Sequence, residues 1–403
     1  MKKVVVIGGG PAGMMAAIKS AEQNQVILLE KNEKLGKKLY ITGKGRCNLT
    51  NNVETVEFFE KIVSNKKFTY SSLYNFSPKD AIEFFENNGL SLKTERGNRV
   101  FPLSDKASDV TKCLEKLLNK KVDVRLSTTV LSIDKNGDIF IIKTDKGDIT
   151  CDSVILCTGG KSYTSTGSTG DGYNFAKKFG HTIVDLKPAL VGLTVREYFC
   201  KKLQGVSLKN VTLKAKYKNK VIYDELGELL FTHFGISGPL VLSLSSLINR
   251  KECEFLNVAI DFKPALTKEM LENRLLKEFK EFKGKSIKSA MYTLLPKSVA
   301  EVVLDRANIL YEKKVDEISQ KERNLIIELL KNFELTVNGL RPLEEAIVTA
   351  GGINVKEINP SSMESNIVKG LFFAGEVIDI DAFTGGFNIQ LALSTGYLAG
   401  ENA

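Results

Sequence analysis

Near the start of the chain, Val4, Val5, Val6 and Ile7 form an unbroken apolar run, closed by three glycines. A short apolar run bounded by glycine reads as a buried strand of a parallel sheet. Pro11 stands where a first helical turn tolerates it, and Met14, Met15, Ala17, Ile18 and Ala21 share one helical face. A second apolar run, 26–29, ends at Glu30. Strand, helix and strand within about thirty residues make a βαβ unit. Residues 31–52 are polar and rich in Gly, Lys and Asn, which in a compact domain marks a functional or disordered loop. Helical spacing follows over 56–64, 78–88 and 106–119. Strand patterns cover 122–126, 129–134 and 139–144, the last two joined by a turn at Lys135-Asn136-Gly137-Asp138. Residues 154–157 are a short buried strand running into Thr158-Gly159-Gly160.

The texture changes near Pro188. Alternating stretches over 191–195, 206–217 and 221–231 read as strands joined by hairpin turns such as Lys218-Asn219. Pro264 opens a Lys/Glu-rich helical stretch that reaches 331, with Pro296 starting a helix inside it. Residues 333–338 return to strand, 371–374 are a short buried strand, and 387–399 have helical spacing. The expected fold is α/β: a Rossmann-like domain (1–187 and 346–403) interrupted by a β-rich, barrel-like insertion (188–263 and 332–345) and a helical subdomain (264–331).

Composition narrows the function classes. No apolar run is long enough to cross a bilayer, and the opening MKKVVVIGGG has too short an apolar stretch for a signal peptide. Six cysteines are scattered without CxxC spacing and there are two histidines, which argues against a zinc or iron–sulfur site. Scattered thiols in a long chain fit a reducing cytoplasm. The net charge of +9 reads as a lysine-rich solvated surface, because the basic residues form no long block. No nucleic-acid partner and no membrane are expected from it.

Gly8-Gly9-Gly10-Pro11-Ala12-Gly13 matches G-x-G-x-x-G, with Gly8, Gly10 and Gly13 at the fixed positions. The first glycine makes the turn, the second lets a pyrophosphate approach the backbone, and the third lets helix pack on strand. The phosphates then meet the helix start at Pro11, Ala12 and Gly13, where Ala12 and Gly13 carry the free N–H groups and Pro11 has none to donate. Glu30, twenty residues beyond Gly10, is placed to accept hydrogen bonds from ribose hydroxyls. The far end of the chain decides which dinucleotide is bound. Gly375 and Glu376 end a strand, Asp379 and Asp381 follow, and Thr384-Gly385-Gly386-Phe387-Asn388 opens the last helix. A strand-end acid suits the hydroxyls of a ribityl chain, and a helix N-terminus suits the electron-rich edge of a flavin. Together they favour FAD over NAD as the resident cofactor.

In Thr42-Gly43-Lys44-Gly45-Arg46-Cys47-Asn48, glycines let the backbone pass close to a ring or phosphate, and Lys44 or Arg46 suits phosphate charge. Lys38, Gly43, Arg46, Cys47 and Asn48 are counted as cofactor-facing on this basis. Cys47 has no neighbouring cysteine, so a flavin–disulfide mechanism is not expected. Thr158, Gly159 and Gly160 at a strand end allow another close approach to the cofactor. His233, in Phe231-Thr232-His233-Phe234-Gly235, is an acid/base candidate, with a structural imidazole as the competing reading. His181, beside Gly180, reads as structural.

The segment 34–52 with TGKGRCNLTN, FTHFGISGP at 231–239, TAGGI at 349–353 and LFFAGEVIDIDAFTGGFNIQLALSTGYLAG at 371–400 resemble the BaiN-type family of NAD(P)/FAD-dependent oxidoreductases. The resemblance covers essentially the whole chain. It implies FAD contacts at Gly10, Gly13, Glu30, Lys31, Arg46, Gly375 and Gly386 to Ile389, and a backbone contact to adenine at Val130. The expected chemistry passes electrons from a transient NADH or NADPH through FAD to a small organic acceptor with an activated C=C bond. One alternative is an oxidase of a small amine using oxygen. A lesser one is a flavoprotein associated with RNA.

Overall fold

Val4, Val5 and Val6 are fully buried in the strand Lys3–Ile7. That strand is central in a five-stranded sheet ordered Leu371–Phe373, Ser153–Leu156, Lys3–Ile7, Gln25–Leu29, Val122–Arg125. All four ladders are parallel. A parallel strand has both faces covered, so its sequence is apolar without alternation. The computed structural model describes all 403 residues, divided into one unit of Met1–Ala189 with Pro342–Ala403 and a second of Leu190–Arg341.

In the first unit, helix Pro11–Ser20 links the first two strands and lies against the closing helix Phe387–Asn402. A Cβ on Gly396 would stand 2.3 Å from the Ala12 carbonyl oxygen, and one on Gly400 would stand 2.3 Å from that of Ala16. The two helices therefore touch backbone to backbone. The antiparallel strands Val130–Asn136, Ile139–Thr144 and Gly147–Cys151 add Ile133, Phe140 and Ile142 to the same core. Thr50–Asn51, Arg99–Pro102 and Leu92–Glu95 form a small sheet, and Ile183–Ala189 pairs with Val348–Ile353. The 31–52 segment is tied down rather than loose. Leu35 and Leu39 are buried, the Gly36 N–H bonds the Gly9 carbonyl at 2.8 Å, and the helical turns within Leu39–Gly45 are broken by a kink at Thr42, Gly43 and Lys44.

The second unit carries a seven-stranded antiparallel sheet ordered Phe333–Leu335, Leu256–Asp261, Ser207–Tyr217, Lys220–Thr232, Gly235–Ser237, Leu193–Val195, Val337–Leu340. The strands at its two ends are separated in sequence by Thr336 alone, so the sheet curls to bring its edges together. Here the division expected at 264 and 331 gives way to one continuous core. Leu271 and Leu275 of helix Lys268–Glu281, Val299 and Val303 of Lys297–Arg306, and Ile326 and Leu330 of Gln320–Lys331 pack with Leu213, Val258, Ile260 and Phe333 of the sheet. Each helix has a single apolar stripe, which only the sheet and its neighbours can cover. Helix Pro239–Ile248 was not legible as a separate element, because its run PLVLSLSSLI has no polar face to give a period. No helix of the chain is long and apolar enough to cross a membrane.

Candidate functional site

The turn after Lys3–Ile7 shows three different uses of glycine. Gly8 has φ +108°, and a Cβ there would lie 2.4 Å from the Cys157 carbonyl oxygen. A Cβ on Gly13 would lie 1.8 Å from the Gly8 carbonyl oxygen, so the helix presses on its own strand turn. A Cβ on Gly10 would meet nothing within 4 Å. Gly10 caps helix Pro11–Ser20 without a side-chain cap, and the N–H groups of Ala12 and Gly13 have no intrahelical partner. Open space beside uncapped N–H groups at a positive helix end suits the pyrophosphate of a dinucleotide.

Glu30 lies across from this turn, 8% exposed. Its carboxylate accepts the Gly9 N–H at 2.7 Å, the Asn32 N–H at 2.8 Å and Asn32 Nδ2 at 2.7 Å. Two carboxylate oxygens offer about four lone-pair positions, so acceptor capacity remains for a ribose hydroxyl. The Thr128 N–H bonds the Glu30 carbonyl at 2.9 Å, which brings the start of strand Val130–Asn136 to this end of the sheet.

Other predicted residues already have protein partners. Arg46, expected to meet a phosphate, instead bonds Glu95, and its Nε bonds Asp105 at 2.7 Å. Its guanidinium lies 4.2 Å from the Phe101 ring centre. Lys31 pairs with Asp171 at 2.7 Å and Thr169 at 2.5 Å. Lys38 and Glu376, both expected to face the cofactor, hold each other at 2.8 Å. Glu376 also accepts from Ser162 Oγ at 3.1 Å and from the Thr349 N–H at 2.8 Å. A Cβ on Gly160 would fall 2.4 Å from Thr349 Oγ1, so the Gly159-Gly160 turn is moulded to this cluster.

The start of the last helix is held from several sides. Gly385 (φ +131°) and Gly386 (φ +95°) form the turn, and Gly386 caps helix Phe387–Asn402. With its amide oriented for bonding, Asn48 donates to the Thr50 carbonyl and accepts from the Gly386 N–H, both at 3.1 Å. Asn388 grips Ala382 through both its N–H (3.0 Å) and its carbonyl (2.8 Å). Phe387 is buried edge-on against Phe58, at 4.9 Å between ring centres, and Ile389 packs against the core. The Gly375 N–H bonds Thr395 Oγ1 at 3.0 Å, a link that sequence reasoning missed. The Asp379 N–H bonds the Ile353 carbonyl at 3.0 Å, and Asn65 Nδ2 bonds the Asp379 carbonyl at 2.6 Å.

The thiols are quiet. Cys47 is fully buried with φ +59°, and burial pushes its pKa up to about 12. Burial also raises Cys157 strongly. His181 is buried, with Nε2 at 2.8 Å from Ser365 Oγ and Nδ1 at 3.3 Å from Glu357. His233 belongs to the second unit and is exposed on the two-residue turn between Lys220–Thr232 and Gly235–Ser237, edge-on to Phe234.

Residues 2–402 match the family model described as the HI0933-like protein Rossmann domain. The chain is 33% identical to the 3-dehydro-bile acid delta(4,6)-reductase of Clostridium scindens, covering 100% of this chain and 99% of that protein. It is 30% identical to the ribosomal RNA dihydrouridine synthase of Haemophilus influenzae, covering 98% and 96% respectively. Among solved structures, the 3-ketosteroid-delta4-(5alpha)-dehydrogenase of Rhodococcus jostii RHA1 is similar in fold, with a TM-score of 0.52 at 12% identity, over 100% of this chain and 96% of that one.

Proposed function

The chain belongs to the HI0933-like Rossmann family and is a flavoprotein oxidoreductase; on that premise we propose that it reduces an activated C=C bond with electrons drawn from NADH or NADPH. The observation that carries the cofactor half is the open space at Gly10 beside an uncapped helix start. The reductive half is supported by two relatives that span nearly the whole chain. One is named as a delta(4,6)-reductase of a 3-dehydro bile acid, the other as a synthase of dihydrouridine. Both names describe saturation of a C=C bond conjugated to a carbonyl.

FAD, when bound, supplies a two-electron carrier between a nicotinamide donor and the acceptor. The chain's own residues bind and orient it. Ala12 and Gly13 direct N–H groups at the pyrophosphate. Glu30 accepts from ribose, and the Val130 backbone meets adenine. Thr158, Gly159, Gly160, Gly375 and Asp379, with the turn from Gly385 to Ile389, face the ribityl and ring portions. Lys38 and Glu376 act at one remove, by fixing Ser162 and Thr349.

An anaerobic titration tests this reading. NADH or NADPH should bleach the flavin absorbance, and a conjugated 3-oxo steroid should restore it. Bleaching by a small amine but by neither nicotinamide, with oxygen uptake on admission of air, would replace the reductase with an oxidase.

A second reading has uridine in RNA as the acceptor. The Haemophilus relative favours it. Its mark is a gain of two hydrogens on a uridine-containing RNA, with binding that weakens steeply with salt.

A further inference from the structure

Residues 162–171 follow the strand Ser153–Leu156 and close on the residues just beyond the strand Gln25–Leu29. Strand Lys3–Ile7 lies between those two in the sheet, and all three run parallel. The segment therefore crosses the sheet edge that carries the turn from Gly8 to Gly13. In open α/β sheets that edge is where ligands sit.

One end of the segment is anchored. The Lys161 N–H bonds Thr349 Oγ1 at 2.9 Å, and Ser162 Oγ accepts from Lys38 Nζ at 2.9 Å. Further along, a seam joins the segment to residues 31 and 32. Lys31 Nζ bonds Thr169 Oγ1 at 2.5 Å and Asp171 Oδ2 at 2.7 Å. Asn32 Nδ2 donates to the Thr166 carbonyl at 3.1 Å and to Glu30 Oε1 at 2.7 Å. Asn32 thus bridges the segment to the acid that holds the Gly9 N–H. A Cβ on Gly167 (φ +103°) would stand 2.5 Å from Asn32 Nδ2, so the segment lies directly on that side chain.

The seam can part. The Lys31 and Asp171 side chains are 28% and 45% exposed, and ion pairs so placed are weak and screened by salt. Between Ser162 and Asp171 the chain forms only a single 3₁₀ turn, Thr164–Thr166, and Thr164, Ser165 and Thr169 are exposed. Gly170 (φ +87°) ends the segment with a residue whose backbone can swing at little cost.

We propose that residues 162–171 are a clasp across the dinucleotide turn, closed by the seam to Lys31 and Asn32, and that its parting sets how fast the cofactor enters and leaves. The inference rests on the flavin reading above. Asp171 acts through Lys31, as a positioning residue. Every group in the seam belongs to the chain, so the clasp closes with or without the cofactor and slows both directions. A residue that only grips bound cofactor slows release alone.

The test compares the wild type with Asp171→Asn, which loosens the ion pair, and Gly167→Ala, which pries the segment off Asn32 without changing charge. Stopped-flow fluorescence follows FAD uptake by flavin-free protein. Transfer of FAD to an excess of a second flavin-free flavoprotein follows release. Both variants should take up and release FAD about three- to fivefold faster, the reach of one partly exposed ion pair, with Kd moving less than either rate. Faster release with unchanged uptake would make the segment a grip and overturn the proposal, as would unchanged rates in both variants. A change in one variant alone would also overturn it, because it would reflect charge at 171 or a local clash at 167. In each of these cases FAD still binds and the flavin reading stands. A wild type that binds no FAD would overturn both.

Discussion

Lys38 and Glu376 are 338 positions apart in sequence, yet Lys38 Nζ lies 2.8 Å from Glu376 Oε2. Lys38 also donates to Ser162 Oγ at 2.9 Å. The pair ties the glycine- and lysine-rich segment after Glu30 to the strand end at Gly375. Both side chains are only about one-fifth exposed, at 20% and 21%. Losing one partner leaves the other charge partly buried. Lys38→Met should therefore lower stability by about 1–3 kcal/mol. The double variant Lys38→Met/Glu376→Gln should lose less than the sum of the two single changes, by about 1 kcal/mol. Urea unfolding of the four proteins checks this, and simple additivity would mean the ion pair is incidental.

What the sequence disclosed and what it withheld follow a physical division. The 2–30 unit was legible because its strand, turn glycines, helix and acid are local and fixed in spacing. The helix Phe387–Asn402 was legible for the same reason. Arg46 and Lys38 read as ligand-binding from the glycine-rich segment they stand in, Glu376 from its place at a strand end, and Lys31 from the family resemblance. Their partners come from distant segments, at Asp105, Asp171 and each other. The helical stretch 264–331 read as a separate subdomain because its charged faces dominate the composition. Its thin apolar stripes in fact belong to the core of the neighbouring sheet.

His181 sets a pH dependence. Its side chain is fully buried at Nε2 2.8 Å from Ser365 Oγ, and burial lowers its pKa against the opposing pull of Glu357. The folded state thus favours the neutral ring, while the unfolded chain takes up a proton near pH 6.5. The stability this contributes is present above about pH 6.5 and is lost as pH falls below it, with a slope of up to about 1.4 kcal/mol per pH unit. Urea midpoints measured between pH 7.5 and 5 should show that slope in the wild type and a shallower one in His181→Gln. Equal slopes would assign the acid sensitivity elsewhere.

Gly396 and Gly400 oppose two effects whose difference has a definite sign. Alanine improves helix propensity over glycine by about 1 kcal/mol. Its Cβ, however, would stand 2.3 Å from a backbone oxygen of helix Pro11–Ser20, which cannot rotate away. Overpacking against backbone costs about 1–3 kcal/mol, and it moves the helix that offers N–H groups to the phosphates. Gly396→Ala should therefore lower both the Tm of flavin-free protein and FAD affinity. A raised Tm would show that propensity dominates and that the two helices can slide apart freely.

The fingerprint glycines separate fold from ligand. Gly13→Ala places a Cβ 1.8 Å from the Gly8 carbonyl oxygen, so the flavin-free protein should be severely destabilised. Gly10 has φ −77°, which any residue adopts, and a Cβ there would meet nothing within 4 Å. Gly10→Ala should therefore leave the flavin-free Tm within the range of a neutral surface change, about 0.5 kcal/mol. The methyl group would still stand where a pyrophosphate must approach the backbone, and FAD binding should weaken at least about tenfold. Flavin fluorescence during titration and thermal unfolding of flavin-free protein give the two numbers independently. A Gly10→Ala variant that binds FAD as tightly as the wild type would mean that the open space beside this helix start is not where the phosphates lie.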